Sequence, residues 1–370
     1  LFFLVSLNTV FLPVWLNESI SFSLQEIGLF LGCVGALKVF SNFFFTKNIK
    51  SIRAKRLVII FVALTVFLVF SFISLIKDIP ISVLAVLIFF LLLIFSPTIS
   101  LVENININLN QQFYSSYGKL RISGSIAFLI AVIFFGALLD KYGVNNLPIF
   151  YIFFSIIFLF SAFLIPVKHK KEKILKSNVL KLLKDSSFLI VLISCSFILA
   201  SHAMYYAFSS IYWKAHRLTL LQIGVLWSWG VIAEVLFFYF IDKVRIRNII
   251  FQLILFVGLI TSLRWVLTYF FNNFYILLLI QSLHAFSFGL SHYLIIYYIH
   301  SHISSNNKLI AQSLYHGLSS GIIMTVLTIL AGNSFKYNIG GLGFLMMAFF
   351  SFLSVFLVSY RRLIISNEKK

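Results

Sequence analysis

Charge is what this sequence has least of. Of its 370 residues only 11% are Asp, Glu, Lys or Arg, and ten of those are acidic. A soluble enzyme of this length carries about a quarter charged residues, so that class is excluded. The two cysteines, Cys33 and Cys195, lie inside long apolar runs, which leaves no disulfide framework and no cysteine-based metal site. No HExxH occurs and no long apolar run contains an Asp, which removes the zinc-protease and paired-carboxylate chemistries of intramembrane enzymes. The alternating ten-residue pattern of a membrane β-barrel is also missing.

What is present is apolar bulk. Hydrophobic residues make up 61% of the chain, 45 of them Phe, and the mean hydropathy is +1.03. These values define an integral membrane protein. Crossing about 30 Å of hydrocarbon takes roughly 20 helical residues, and twelve stretches qualify. They run over 1–17, 23–46, 56–76, 80–103, 118–139, 146–166, 186–212, 219–241, 248–270, 273–299, 309–332 and 339–360. The chain starts at Leu1 with a short first span, so a few residues ahead of it are expected to be missing. No basic n-region or small-residue cleavage site marks that span as a signal peptide.

The net charge of +19 is topological. With the N-terminus inside, 22 Lys and Arg fall on the cytoplasmic side and five outside, while Lys38 and Arg264 lie within spans. That bias fixes a multi-pass protein with both termini cytoplasmic, and it makes lipid headgroups rather than nucleic acid the partner of the cations.

The longest polar interruption, 167–185, divides the chain into a six-span N-terminal bundle (1–166), a basic linker, a six-span C-terminal bundle (186–361) and a short tail (362–370). The halves are related. An offset of 196 residues superposes Leu24, Ile27, Gly28 and Val39 on Leu220, Ile223, Gly224 and Val235. It also superposes Ser123, Ile126 and Gly136 on Ser319, Ile322 and Gly332. Two parallel six-helix repeats are the architecture of the major facilitator fold, all-α, with substrate near the midplane between the halves.

Ionisable side chains at membrane depth are costly and face a partner or a cavity. The repeat offset pairs Lys38 of span two with Glu234 of span eight. Either they form a structural ion pair, or Glu234 carries a proton while Lys38 attracts an anionic substrate group. Arg264 in span nine is expected to be able to snorkel outward without contacting Glu234, and it serves either as a hydrogen-bond donor between helices or in substrate binding or proton coupling. Of the intramembrane histidines His202, His284, His292 and His316, we favour His202, beside Tyr205 and Tyr206, and His284 as direct participants. No carboxylate or thiol stands at ligand spacing beside them, so no metal is expected. Glu103, with Lys119 and Arg121 across a short cytoplasmic loop, is read as a gate, and Pro97 as a kink near it. Trp15 and Trp213, at outer span ends, are expected as interfacial anchors.

With these residues in place the sequence resembles the phenylpropionic acid transporter family, a branch of the major facilitator superfamily related to the lactose and nucleoside permeases. The similarity covers about 8–341. Its landmarks are FLPVWL at 11–16, FSP at 95–97, YGKLRISGS at 117–125, SHAMYYAFSSIYW at 201–213, IGVLWSWGVIAEV at 223–235, LRW at 263–265 and QSLH at 281–284. Lys38 and Glu103 depart from it, standing where relatives have Arg and Asp. The resemblance implies a proton-driven symporter in the bacterial inner membrane, a monomer with no cofactor beyond the proton gradient. Glu234, Arg264, His202 and His284 fall on the family's recurring polar positions. The expected substrate is an aromatic or other carboxylic acid. A neutral nucleoside or oligosaccharide is the alternative, with Lys38 then merely paired to Glu234.

Overall fold

In the computed structural model the described residues, 1–49, 51–76, 78–109, 114–165, 182–241, 249–335 and 341–368, form helices and no strands. Twelve helices follow in chain order. They are α1 (Phe2–Glu18), α2 (Leu24–Asn48), α3 (Ile52–Leu75), α4 (Ile81–Phe95 and Thr98–Leu109), α5 (Tyr114–Tyr142) and α6 (Leu147–Phe163). The second half adds α7 (Ser186–Ala215), α8 (Leu220–Ile241), α9 (Ile250–Phe270), α10 (Phe274–His302), α11 (Ile310–Ser334) and α12 (Leu342–Glu368). Eleven are long and apolar enough to cross a membrane, and α1 is a shorter apolar helix.

Local chemistry sets the ends and breaks. Ser51 caps α3 by accepting from the Ala54 N–H, Asp185 caps α7 through Phe188, and Asn273 caps α10 through Tyr275 and Ile276. Proline cannot donate within a helix, and α4 is interrupted at Ser96 and Pro97, as the kink expectation required. Three helices contain π turns, at Leu7–Phe11, Ala285–Leu290 and Gly317–Ile323, and α7 is broken at Ser201 and His202.

The chain forms two compact units. The first comprises Leu1–Ser23, Ala36–Ile174 and Thr219–Gly224. Its interior is aromatic: Phe70 stacks on Tyr151 at 3.8 Å, the Tyr151 hydroxyl donates to Asn8 Oδ1 at 2.6 Å, and Phe135 gathers Phe3, Phe11, Phe150 and Phe154. Trp15 corrects the anchor expectation. It is buried at 2% exposure and packs edge-on to Phe70, so its indole serves the interior and not a water–lipid boundary.

The second unit comprises Leu24–Gly35, Leu175–Leu218 and Val225–Lys370. Its apolar core runs through α7, α9 and α10, with Tyr315 of α11 and Val358 of α12. Trp213 is likewise buried, against Tyr205. In a membrane, apolar burial gives helices little reason to associate, so small residues that allow close packing carry the contacts. Thus Gly258 of α9 faces Ser354 and Val355 of α12, and the Ser262 hydroxyl bonds both Ser351 Oγ and the Ala348 carbonyl.

The repeat is visible in these contacts. In the second unit a Cβ built on Gly28 would lie 2.8 Å from the Gly332 Cα. In the first, one built on Gly136 would lie 2.5 Å from the Leu220 carbonyl oxygen, and one on Gly224 would strike the Val132 carbonyl. The 196-residue offset carries Gly28 to Gly224 and Gly136 to Gly332, so one close approach is the image of the other.

Candidate functional site: a buried arginine among imidazoles

Arg264 lies in the middle of the second unit with no exposed surface. It does not snorkel: every one of its contacts is inside. Nη1 approaches Ser287 Oγ at 2.7 Å, His284 Nδ1 at 3.1 Å and His202 Nε2 at 3.2 Å, while Nη2 donates to Gln281 Oε1 at 2.7 Å. The guanidinium also lies over the rings of Trp265 (4.4 Å) and Tyr205 (5.1 Å), where the aromatic faces are attractive to a cation.

Guanidinium donates only, so each imidazole nitrogen facing it must be the unprotonated one. This assigns the tautomers. His202 carries its proton on Nδ1, which is directed at the Ile198 and Leu199 carbonyls at 3.2 and 3.1 Å. Both oxygens also accept at the break in α7, Leu199 from the His202 N–H at 3.1 Å and Ile198 from the Ser201 hydroxyl at 2.7 Å. His284 carries its proton on Nε2, which lies 3.8 Å from Glu234 Oε2. Because Nη1 has two hydrogens and three neighbours, the Ser287 hydroxyl accepts from Arg264 and can donate onward to His202 Nε2 at 3.3 Å. Both imidazoles are therefore neutral, and Glu234, 18% exposed at its side chain, faces the cation from the far side of His284.

Helix irregularities place the polar groups. His284 opens the π turn of α10, and Ser287 and Phe288 lie inside it. Such turns displace side chains from the regular helical register and recur at functional sites. Around the polar centre, Tyr205 stacks on Trp227 at 4.2 Å, Tyr206 stacks on His202 at 5.8 Å, Phe288 stacks on His284 at 5.2 Å, and the Trp265 indole donates to Ser201 Oγ at 2.9 Å. Two donors within this cluster, Arg264 Nε and Gln281 Nε2, have no acceptor.

Six expected site residues thus come together: His202, Tyr205, Tyr206, Glu234, Arg264 and His284. Sequence reasoning missed Ser287, Gln281, Trp227 and Trp265. Gln281 sits in the QSLH segment, and its spacing from His284 was the signal available. His292 and His316 are a separate pair, with ring centroids 6.0 Å apart.

Lys38 belongs to the first unit. At about 100° per residue it lies roughly 140° around α2 from the centre of the exposed apolar stripe Leu29, Cys33, Leu37, Phe40 and Phe44. It is exposed, yet it shares its face with the buried Ile27 and Val34. Glu103 is half-buried in the second segment of α4. Its neighbour Asn104 accepts from the Nζ of Lys55, which was counted as topological but is buried. Lys119 and Arg121 lie on α5, and their side chains fall outside the described residues.

The described residues thus form a bundle of long apolar helices with a buried polar cluster held where helices are irregular or broken. Comparisons with known proteins give its family. The chain belongs to the MFS_1 like family, whose model matches residues 1–359. It is 28% identical over 254 residues to the "Probable 3-phenylpropionic acid transporter" of Escherichia coli (strain K12), covering 66% of this chain and 65% of that one. It is 25% identical over 248 residues to the "Uncharacterized transporter YwbF" of Bacillus subtilis (strain 168), covering 65% and 61%. The matched region thus spans slightly less than two thirds of either relative. Among solved structures the fold is similar to that of a mutant form of the nucleoside transporter NupG, with a TM-score of 0.82 at 15% identity over 97% of this chain and 96% of that one. A bacterial homolog of the human lysosomal transporter Spinster follows, with a TM-score of 0.68 at 10% identity over 97% and 94%.

Proposed function

We propose that this transporter takes up a small carboxylic acid of the phenylpropionate type, coupled to protons, by alternating access. One observation carries the reading: Arg264 is a fully buried cation whose hydrogen-bond partners are all neutral, and two donors of its cluster lack acceptors. A buried charge needs compensation. Glu234 supplies it through His284 when ionised; a substrate carboxylate supplies it when Glu234 takes up a proton. Proton and anion then arrive together, which is symport. Tyr205, Tyr206, Trp227 and Phe288 offer aromatic surface to the rest of the substrate; Lys38, in the first unit, is the alternative cation for an acid. The carboxylic acid is favoured over a nucleoside because the cluster is rich in donors and cationic.

Uptake into proteoliposomes under an imposed inward proton gradient tests this. Labelled 3-phenylpropionate should accumulate, and an uncoupler should abolish the accumulation. Accumulation of a nucleoside or an oligosaccharide in place of the acid would overturn the substrate class.

A further inference from the structure

The first turn of α8 is held twice. Within the helix, Thr219 and Gln222 form a capping box: the Gln222 N–H donates to Thr219 Oγ1 at 3.1 Å, and the Thr219 N–H donates to Gln222 Oε1 at 3.0 Å. The N–H groups of Leu220 and Leu221 lie outside that box, and Asp140, at the end of α5, takes both. Its Oδ1 accepts from Leu220 and its Oδ2 from Leu221, each at 2.8 Å. A carboxylate in this place meets the positive end of the helix dipole as well as two N–H donors. Along the same seam Gly136 and Gly224 bring the α5 and α8 backbones into contact, with no side chain between them. Asp140 and Thr219–Gly224 all belong to the first unit.

The repeat does not carry this carboxylate over in sequence. The counterpart of the α5–α8 seam is the α2–α11 seam at Gly28 and Gly332. The 196-residue offset sets Leu24 and Gln25 opposite Leu220 and Leu221, but it sets Lys336 opposite Asp140. An ammonium group has no lone pair with which to accept from a backbone N–H. At the position that the offset equates with Asp140 the sequence therefore has a cation where α5 has a carboxylate.

We propose that Asp140 is a latch: it holds the first turn of α8 closed against α5 and sets how often this seam opens during the transport cycle. The inference rests on the transporter fold and is independent of the substrate and of proton coupling. The glycines make close approach possible, and the carboxylate makes it persist.

The test uses the full chain with Cys33 and Cys195 replaced by Ser and a reporter cysteine at Leu220, whose side chain is 1% exposed in the closed seam. Maleimide labelling is followed in proteoliposomes without substrate. Asp140→Asn, which keeps the shape and loses the charge, should raise the labelling rate at least tenfold, a shift of about 1.4 kcal/mol in the opening equilibrium. Thr219→Ala breaks the capping box without touching α5 and should leave the rate within twofold. Equal labelling with and without the Asp140 carboxylate overturns the latch. So does a rise in Thr219→Ala as large as in Asp140→Asn, because the helix end would then merely fray. If Asp140→Asn does not yield monodisperse protein, Asp140→Glu is read in its place with a smaller rise expected, and an unchanged rate overturns the proposal equally. Because no substrate is added, failure of the carboxylic acid reading does not affect this outcome.

Discussion

Arg264 Nη1 lies 3.1 Å from His284 Nδ1, and the opposite nitrogen of the same ring lies 3.8 Å from Glu234 Oε2. One imidazole therefore stands between a buried cation and the nearest carboxylate of its cluster. A proton added at Nδ1 would remove the acceptor that Arg264 uses, so His284 cannot be charged and hold Arg264 at once.

Arg264→Lys keeps the charge but not the planar fork that reaches Ser287, His284 and Gln281 together. We expect uptake to fall by at least tenfold while the protein still folds. Arg264→Ala additionally leaves Ser287, His284 and Gln281 without their shared donor, and it should lower the melting temperature in detergent as well as abolish uptake. Initial rates in proteoliposomes and a thermal unfolding scan separate the two effects.

Glu234→Gln keeps a hydrogen-bonding group beside His284 but cannot exchange a proton. Net accumulation driven by a proton gradient should be lost, while exchange of internal for external substrate persists. Accumulation at the parent level in this variant contradicts the coupling role.

Lys38→Ala tests the second cation independently. If Lys38 attracts the carboxylate, the half-saturating concentration for acids rises roughly tenfold, the size expected for about 1.4 kcal/mol. An unchanged affinity assigns Lys38 to structure alone.

Gly28→Val places a branched side chain where even a Cβ would lie 2.8 Å from the Gly332 Cα. Backbone is the obstacle, so no rotamer relieves it. Overpacking of this kind costs about 1–3 kcal/mol, and a lower melting temperature is expected. At the site, Trp265→Phe removes the indole donor to Ser201 Oγ, and a double-mutant cycle with Ser201→Ala should show a coupling of about 1 kcal/mol.

Much of this was legible in the sequence, for physical reasons. Long apolar runs leave helices as the open solution in lipid, and the glycines at 28, 136, 224 and 332 carried the repeat because close backbone approach tolerates no side chain. Rare charges and histidines at membrane depth singled out Arg264, Glu234, His202 and His284. What the sequence withheld depends on irregular backbone. Ser287 meets Arg264 from within the π turn of α10, and the His202 ring bonds the Ile198 and Leu199 carbonyls where α7 breaks; neither follows from a regular 3.6-residue period. For Arg264 the sequence left an outward reach and hydrogen bonds between helices both open, and its neighbours satisfy it within the helices. Trp15 and Trp213 stood at span ends, yet burial against Phe70 and Tyr205 decided their role.

The central claim, that an acid and a proton enter together through the Arg264–His284–Glu234 cluster, is tested most directly in lightly buffered, de-energised cells. Adding 3-phenylpropionate should alkalinise the medium transiently in cells carrying the parent protein and leave it unchanged in cells carrying Glu234→Gln. Uptake of the acid without alkalinisation in the parent, or alkalinisation that survives Glu234→Gln, would contradict the account.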